Sequence, residues 1–373
     1  MQKILRKDKI HEAMDRLGLN QSTLSTRLDV SREAVSKWFK DESFPKPDKL
    51  LRLATILDLG FGELVEKSEV HAPVVAFRKA RASKTTDAHY ARAQTMGRML
   101  RNLVDYLPFD KIVSPPVLKN PNSDYSYLQE VSLKVRSDIG IGKNDRIEYY
   151  HLIEYFKTLQ AVLIPVLWGS KNRHENATHI FLPDSRTTWV YLNLDTNALD
   201  FNFWMSHELG HCLAPDLRGE EAEDFADAFA GALLFPHELS ESTYERVIQK
   251  SSIGAQINEI RRTALEFAIA PYSVHCQLNA YALHVGRTKL DLSIHAAAAN
   301  VNKELPLISK MLLGDEDHPE ADSYISAVND NFKTPFFNTL KDYLKVSEKG
   351  PGFIQTLMDV PTLDARSIHS ELV

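Results

Sequence analysis

The most constraining stretch of this 373-residue chain lies past its midpoint, where Phe201-Asn202-Phe203-Trp204-Met205 runs into Ser206-His207-Glu208-Leu209-Gly210-His211. Four-residue spacing puts His207 and His211 one turn apart on one helix face, so both imidazoles can reach a single Zn²⁺ with Glu208 beside the open coordination position. The apolar residues ahead of the motif predict a buried helix, and ionisable groups on a buried helix need a partner or a metal. With 14 His in the whole chain, a chance match is expected well under once. The competing reading is a solvated helix with two incidental His.

A hydrolytic zinc site takes a third protein ligand and keeps one position open. Residues 220–230 read Glu-Glu-Ala-Glu-Asp-Phe-Ala-Asp-Ala-Phe-Ala, followed by Gly231-Ala232-Leu233-Leu234-Phe235-Pro236. Apolar residues at 225, 226, 229, 230, 233 and 234 form a helical stripe that Pro236 ends. Glu223 and Asp227 stand one turn apart beside it, so one could ligate a metal while the other accepts a hydrogen bond from a ligand imidazole. Glu220 and Glu221 suit a helix N-terminus, whose dipole favours acids.

These two segments together, HELGH and EDFADAFAGALLFP, resemble the ImmA/IrrE family of zinc metallopeptidases. The resemblance implies His207, His211 and Glu223 as zinc ligands, Glu208 as the catalytic residue, and Asp227 beside them where the family often has Asn. It extends from about Ile147 to Arg287, because the stretch from Thr263 to Leu283 is similar to the family's helix-turn-helix-like element, with departures at His275 and Gln277.

The chain is basic at one end and acidic over the rest. Residues 1–111 hold 21 Lys+Arg against 15 Asp+Glu, whereas the remainder holds 23 against 35, so nucleic acid would meet the N-terminal part. There, residues 21–40 carry helix-turn-helix spacing. Gln21 to Leu28 form the first helix, Asp29-Val30 the turn, and Ser31 caps a second helix containing Val35 and Trp38. Ser25 is the small residue at the helix crossing, and Leu24, Leu28, Val30, Val35 and Trp38 are the apolar anchors. Asp29 stands where such turns favour Gly, and Asp tolerates the left-handed conformation. Ser31, Arg32, Glu33, Ser36 and Lys37 then project toward base edges and phosphates. Residues 5–65, including the helix opened by Pro47-Asp48-Lys49-Leu50-Leu51, resemble the Xre/lambda-repressor-like domain. A helical hairpin for protein contacts is the plainer alternative.

Composition bounds the rest. A chain with 43% hydrophobic and 25% charged residues is not mostly disordered. The longest apolar run, Ala161 to Trp168, is far short of the roughly 20 residues of a membrane span. Neither a signal-peptide core nor more than Cys212 and Cys276 is present, which predicts a reducing cytoplasm. The length predicts two or three units. The expected class is α+β multidomain: an all-α helix-turn-helix domain at 1–67, a basic, Pro-containing connector at 68–140, a zincin-like α+β peptidase domain at 141–290, and a helical C-terminal region at 291–373. Three strands are expected at Ala161–Leu167, His179–Leu182 and Thr188–Leu194. The last is either an edge on which a peptide lies extended or an interior strand.

His237, Tyr272, His275 and Tyr281 are open candidates for an oxyanion donor, and Cys212 is a redox handle or a small buried residue. The resemblance implies a cytoplasmic, DNA-binding zinc endopeptidase that cleaves a regulatory protein such as a repressor after a stress or mobile-element signal. Its expected partners are DNA, the protein substrate and a second copy in a homodimer, with no membrane. The rival is a transcription regulator whose peptidase-like domain only senses a ligand. The intact Glu208 and the lack of a Cys-rich C-terminal region weigh against that rival. A third reading has the N-terminal domain recognise protein or single-stranded DNA, assisted by the basic stretch Arg78, Lys79, Arg81, Lys84, Arg92, Arg98 and Arg101.

Overall fold

A computed structural model describes residues 2–39, 43–68, 72–76, 87–109, 117–169, 177–315 and 319–373. Its contacts divide the chain once, into Met1–Ala72 and Pro73–Val373.

The smaller unit runs β1 (Gln2–Leu5), α1 (Lys7–Arg16), α2 (Gln21–Leu28), α3 (Arg32–Phe39), α4 (Pro47–Leu57), α5 (Phe61–Leu64) and β2 (Val65–Ser68). Asn20 caps α2 in a reciprocal box with Thr23, and Pro47 opens α4 at a position whose N–H has no helical partner. Ile10, Met14, Leu24, Leu28, Val35, Trp38, Leu53 and Leu57 meet in one core. The antiparallel pairing of β1 with β2, Gln2 opposite Ser68 and Leu5 opposite Val65, corrects the all-helical expectation. Four-residue strands joined across the whole unit leave no local periodicity to read.

The larger unit opens with β3 (Val74–Ala76), α6 (Asp87–Leu100) and a 3₁₀ turn at Arg101–Tyr106. Next come α7 (Tyr125–Ile139), α8 (Tyr149–Thr158), β4 (Val162–Val166), β5 (Ala177–Leu182) and β6 (Thr187–Asn193). The helices α9 (Ala198–Leu213), α10 (Gly219–Leu234), α11 (His237–Ile248), α12 (Ile253–Phe267) and α13 (Pro271–His284) follow. The chain finishes with α14 (His295–Glu304), α15 (Ile308–Leu313), α16 (Ala321–Phe332), α17 (Phe336–Ser347), α18 (Pro351–Met358) and α19 (Thr362–Leu372).

The sheet order is β3-β5-β6-β4, with β4 parallel to β6 and the other pairs antiparallel. β6 is therefore interior and buried along its whole length, which removes it as a peptide-docking edge. The outer edge of β4 is covered: Thr334 donates to the carbonyl of Leu163 (2.6 Å) and Tyr324 to that of Pro165. Trp168 and Tyr191 donate to the carbonyls of Met358 and Leu357. The C-terminal helices thus satisfy edge groups the sheet would otherwise leave unpaired.

Side chains from 93–135 and from 290–372 bury in the same core as those between them. The connector and C-terminal stretches hence share one core with the middle of the chain. Arg92 pairs with Asp359 (2.7 Å) and Arg101 with Asp184 (2.9 Å), while Arg78, Lys79, Arg81 and Lys84 lie outside the described residues. The fully buried Arg136 of α7 donates to the carbonyls of Leu233, Gly142 and Asp145, tying the end of α10 to the loop after α7. Among the described residues no helix is long and apolar enough to cross a membrane.

Candidate functional site

Asn197 caps α9 by accepting from the N–H groups of Leu199 (3.1 Å) and Asp200 (3.0 Å). Beyond that cap α9 is buried on almost every face, as its apolar sequence requires. Asn202 donates to the carbonyls of Ile147 and Ala268, so α9 is tied to the loop before α8 and to the α12–α13 turn. Ala268 holds that turn at φ 55°, within the helix-turn-helix-like element expected at 263–283. α9 packs closely on α10 at Gly210. A Cβ there would sit 3.0 Å from Cα of Ala226 and 3.2 Å from the ring of Phe229, so the glycine inside the motif is what lets the two helices approach.

That approach brings His207, His211 and Glu223 together. Nε2 of His207 lies 3.1 Å from Nε2 of His211. The Glu223 carboxylate oxygens lie 3.4 Å from Nε2 of His207 and 3.5 Å from Nε2 of His211. A tetrahedral zinc with bonds of about 2.0–2.1 Å separates its donors by roughly 3.3–3.4 Å. The donor set therefore has the chemistry and the spacing that such an ion requires. Asp227, one turn beyond Glu223, takes the Nδ1–H of His207 at 2.9 Å. A carboxylate only accepts, so the ring proton of neutral His207 sits on Nδ1 and leaves Nε2 as the donor toward the triad. Glu208 is buried next to His207.

Two imidazole nitrogens facing each other at 3.1 Å can share one proton or one cation. Burial opposes charge on His207, but the carboxylates of Asp227 and Glu223 outweigh it and lift its pKa to about 9. Burial and the neighbouring charge on His207 push His211 well below the usual imidazole range. The surroundings of the pair therefore favour one positive charge between the flanking carboxylates, supplied by a proton or by a shared cation.

Sequence reading missed His179. This β5 residue is buried, its ring centroid lies 5.6 Å from that of His211, and its Nε2 has no hydrogen-bond partner among the described residues. Burial, with His207 and Arg218, lowers its pKa to about 3, so it stays neutral. Only the sheet brings it here, and a lone His in a β-rich run carries no spacing signal. The open candidates are engaged elsewhere. His237 meets the Tyr125 hydroxyl (3.1 Å), Tyr281 donates to Glu241, His275 lies 2.9 Å from the carbonyl of Leu290, and Tyr272 stacks on His295. Cys212 is buried, and burial together with Glu208 pushes its thiol far up, which makes it a packing residue rather than a reactive thiolate.

In the smaller unit the helix-turn-helix lies where its spacing predicts. Asp29 closes α2 in the left-handed region at φ 55°, Ser25 is buried at the crossing, and the Ser31 hydroxyl accepts from the N–H of Ala34. Arg32, Glu33 and Lys37 are exposed and Ser36 is half-buried. The Lys37 ammonium pairs with Glu33 at 2.9 Å. Lys49, which sequence reading left unassigned, donates to the carbonyls of Leu28 and Asp29 at 3.1 Å each and so holds the turn from α4.

A family model described as helix-turn-helix matches residues 10–64. A 49-residue stretch is 45% identical to the 26 kDa repressor protein of Escherichia phage HK022, which is 12% of this chain and 21% of that protein. The chain thus spans about a fifth of the length of the curated relative it matches. Residues 10–64 form a helix-turn-helix DNA-binding domain similar to part of a phage repressor.

Proposed function

We propose that this chain is a cytoplasmic DNA-binding regulator whose larger unit is a zincin-like, ImmA/IrrE-type zinc endopeptidase that cleaves a regulatory protein such as a repressor. The observation that carries the reading is the buried set His207, His211 and Glu223 at zinc-compatible separations, with Glu208 alongside and Asp227 on the far nitrogen of His207. A zinc ion held by those three residues would supply Lewis acidity to the scissile carbonyl. The protein's own groups supply the rest. Asp227 fixes the tautomer and orientation of His207. Glu208 accepts a proton from the attacking water and returns it to the leaving amine. On the other unit, Arg32 and Lys37 meet phosphates, while Ser31, Glu33 and Ser36 face the groove. The free thiols of Cys212 and Cys276 suit a reducing compartment.

The test is incubation of the full chain with repressors encoded beside its gene, with and without chelator, reading cleavage by mass spectrometry. Glu208→Gln keeps shape, zinc and duplex binding and should lower cleavage by about 10²–10⁴-fold. A reporter gene that responds normally in cells carrying Glu208→Gln, with the repressor uncleaved, would assign the site to sensing rather than proteolysis.

A further inference from the structure

Among the described strands of the larger unit, one sheet edge adjoins the metal set, and the chain itself occupies it. β6 is interior and β4 is covered by the C-terminal helices, which leaves the outer edge of β5. His179 of β5 places its ring centroid 5.6 Å from that of His211, so this strand runs beside the motif on α9. β3 pairs antiparallel along it, with Val74 opposite Phe181, Val75 opposite Ile180 and Ala76 opposite His179. β3 also comes close to α10, the helix that carries Glu223.

A strand added to a sheet edge is a common way of holding an extended peptide, because main-chain hydrogen bonds supply affinity whatever the sequence. β3 has the form such a peptide would take. It is three residues long, so few ladder bonds hold it, and pairings this short open at low cost. Its entry, by contrast, is pinned. The Pro73 carbonyl accepts from Nε2 of Gln94 at 2.7 Å. A Cβ on Gly97 would stand 2.5 Å from that of Pro73, so α6 admits the proline only because residue 97 is glycine. The strand therefore starts from a fixed point on α6 and ends opposite His179. Glu208, which has to meet a substrate, is only 3% exposed, so a peptide does not reach it unless part of the unit moves.

We propose that the outer edge of β5 is where an extended peptide adds as an antiparallel strand, and that β3 is an internal occupant that keeps this edge closed until it is displaced. The inference rests on the peptidase reading for its purpose and on the observed pairing for its geometry. A bound peptide takes the direction that β3 takes now, and the part of it opposite His179 lies next to the metal set. Only chains with β3 displaced bind, so the apparent affinity for a peptide is reduced by the fraction of chains that are open.

The probe is fluorescein-labelled oxidised insulin B chain, an unfolded peptide, and binding is read by anisotropy on the full chain carrying Glu208→Gln so that the probe survives. Val74→Pro with Val75→Pro removes a ladder donor whichever of the two N–H groups faces β5, and should tighten binding at least tenfold. The opposite change locks the strand. Directly opposed residues of an antiparallel pair have Cα atoms about 4.5–5.5 Å apart, within reach of a disulfide, so Val74→Cys with Phe181→Cys joins β3 to β5, with Cys276→Ser removing the exposed thiol. Once oxidised with diamide and verified by intact mass, the locked chain should bind at least tenfold more weakly than after reduction with a phosphine. If the proline variant does not fold, the locked chain decides alone, since reduction restores the same molecule. Equal affinity in the locked and reduced forms, or a folded proline variant that binds no more tightly than Glu208→Gln by itself, would each overturn the proposal. Cleavage of the same probe with Glu208 intact separates this inference from the peptidase reading. An opened, zinc-loaded chain that binds the probe tightly without cutting it would refute the peptidase and support the occupied edge, whereas cleavage at the wild-type rate with unchanged affinity would refute the occupied edge alone.

Discussion

On α3 the residues proposed to meet DNA stand in solvent. Arg32, Glu33 and Lys37 are exposed, and the 2.9 Å pair between Lys37 and Glu33 has side chains 48% and 75% accessible. On α9 the ionisable groups stand inside the protein, with His207, Glu208 and His211 only 1%, 3% and 5% exposed. An exposed ion pair of the first kind contributes little, is screened by salt, and can exchange one anion for another. A buried constellation has no water to fall back on, so removing one member strands the others at a cost of about 3–5 kcal/mol. The helix-turn-helix surface is thus built to swap partners, whereas the α9–α10 set is built to hold one arrangement.

The sharpest way to break that contrast is at Glu223. Glu223→Ala removes the carboxylate that faces both imidazoles and leaves two ligands where a hydrolytic site needs three. Zinc affinity, measured by chelator competition on the purified chain, should fall by more than about 100-fold. Unchanged zinc content in this variant would mean that the α9–α10 set does not hold the metal.

Glycines allow the same comparison through packing. Gly210→Ala would put a methyl 3.0 Å from Cα of Ala226. Backbone cannot swing aside as a side chain can, so α9 and α10 must separate by a few tenths of an ångström. A loss of about 1–3 kcal/mol is expected in denaturant unfolding of the larger unit, with weaker zinc binding alongside. In the smaller unit Gly62 of α5 has nothing within 4 Å of an added Cβ, and Gly62→Ala should be neutral or stabilise by up to about 1 kcal/mol. Equal costs at both positions would show that helix approach is not what Gly210 provides.

How far each region could be read from its sequence follows the same division. The α2–turn–α3 geometry and the triad partners were legible because each rests on spacing within one helix or two successive ones: Asp29 at its left-handed turn, Ser31 at its cap, His207 and His211 one turn apart. Choosing Glu223 over Asp227 as third ligand came from the resemblance; spacing alone left both open, and the 2.9 Å bond from His207 to Asp227 now distinguishes their positions. What escaped was assembled across long sequence separations. His179 reaches the site only through the sheet, β1 meets β2 across the whole smaller unit, and Tyr324 and Thr334 cover β4 from more than 150 residues away. Periodicity has no range over such distances.

A salt-bridge cluster at Glu259 gives the intermediate case, a buried carboxylate with exposed partners. Arg262, Arg246 and Lys250 lie 2.6, 2.9 and 3.3 Å from it. Hydrogen bonds from Arg262, working against burial and joined by Arg246 and Lys250, hold its pKa at about 2. The folded value lies below the ordinary one, so the stabilisation is complete above about pH 4.5 and is lost as pH falls toward 2. Glu259→Gln should be less stable than wild type by about 1–2 kcal/mol at pH 7. Unfolding curves across this window should show the gap closing by about pH 2. A gap that stays constant with pH would mean the cluster acts through packing rather than charge.

The smallest effects belong to the exposed pair on α3, and they follow from the competition between Glu33 and a phosphate for Lys37. Arg32 and Lys37 should each contribute about one phosphate contact, so replacing both with Ala should lower the slope of log affinity against log salt by about 2 on a random-sequence duplex. Lys37 must first leave Glu33, and a pair this exposed is held only weakly. Glu33→Gln releases the ammonium and also removes a negative charge from α3, the helix proposed to face DNA. Fluorescence anisotropy at low salt should then show duplex affinity rising by a few fold, with the gain fading as salt screens the interaction. Affinity that falls instead would mean that Glu33 itself contacts a base, accepting from a cytosine amino group. In that event the loss should vanish on duplexes lacking cytosine at the contacted position.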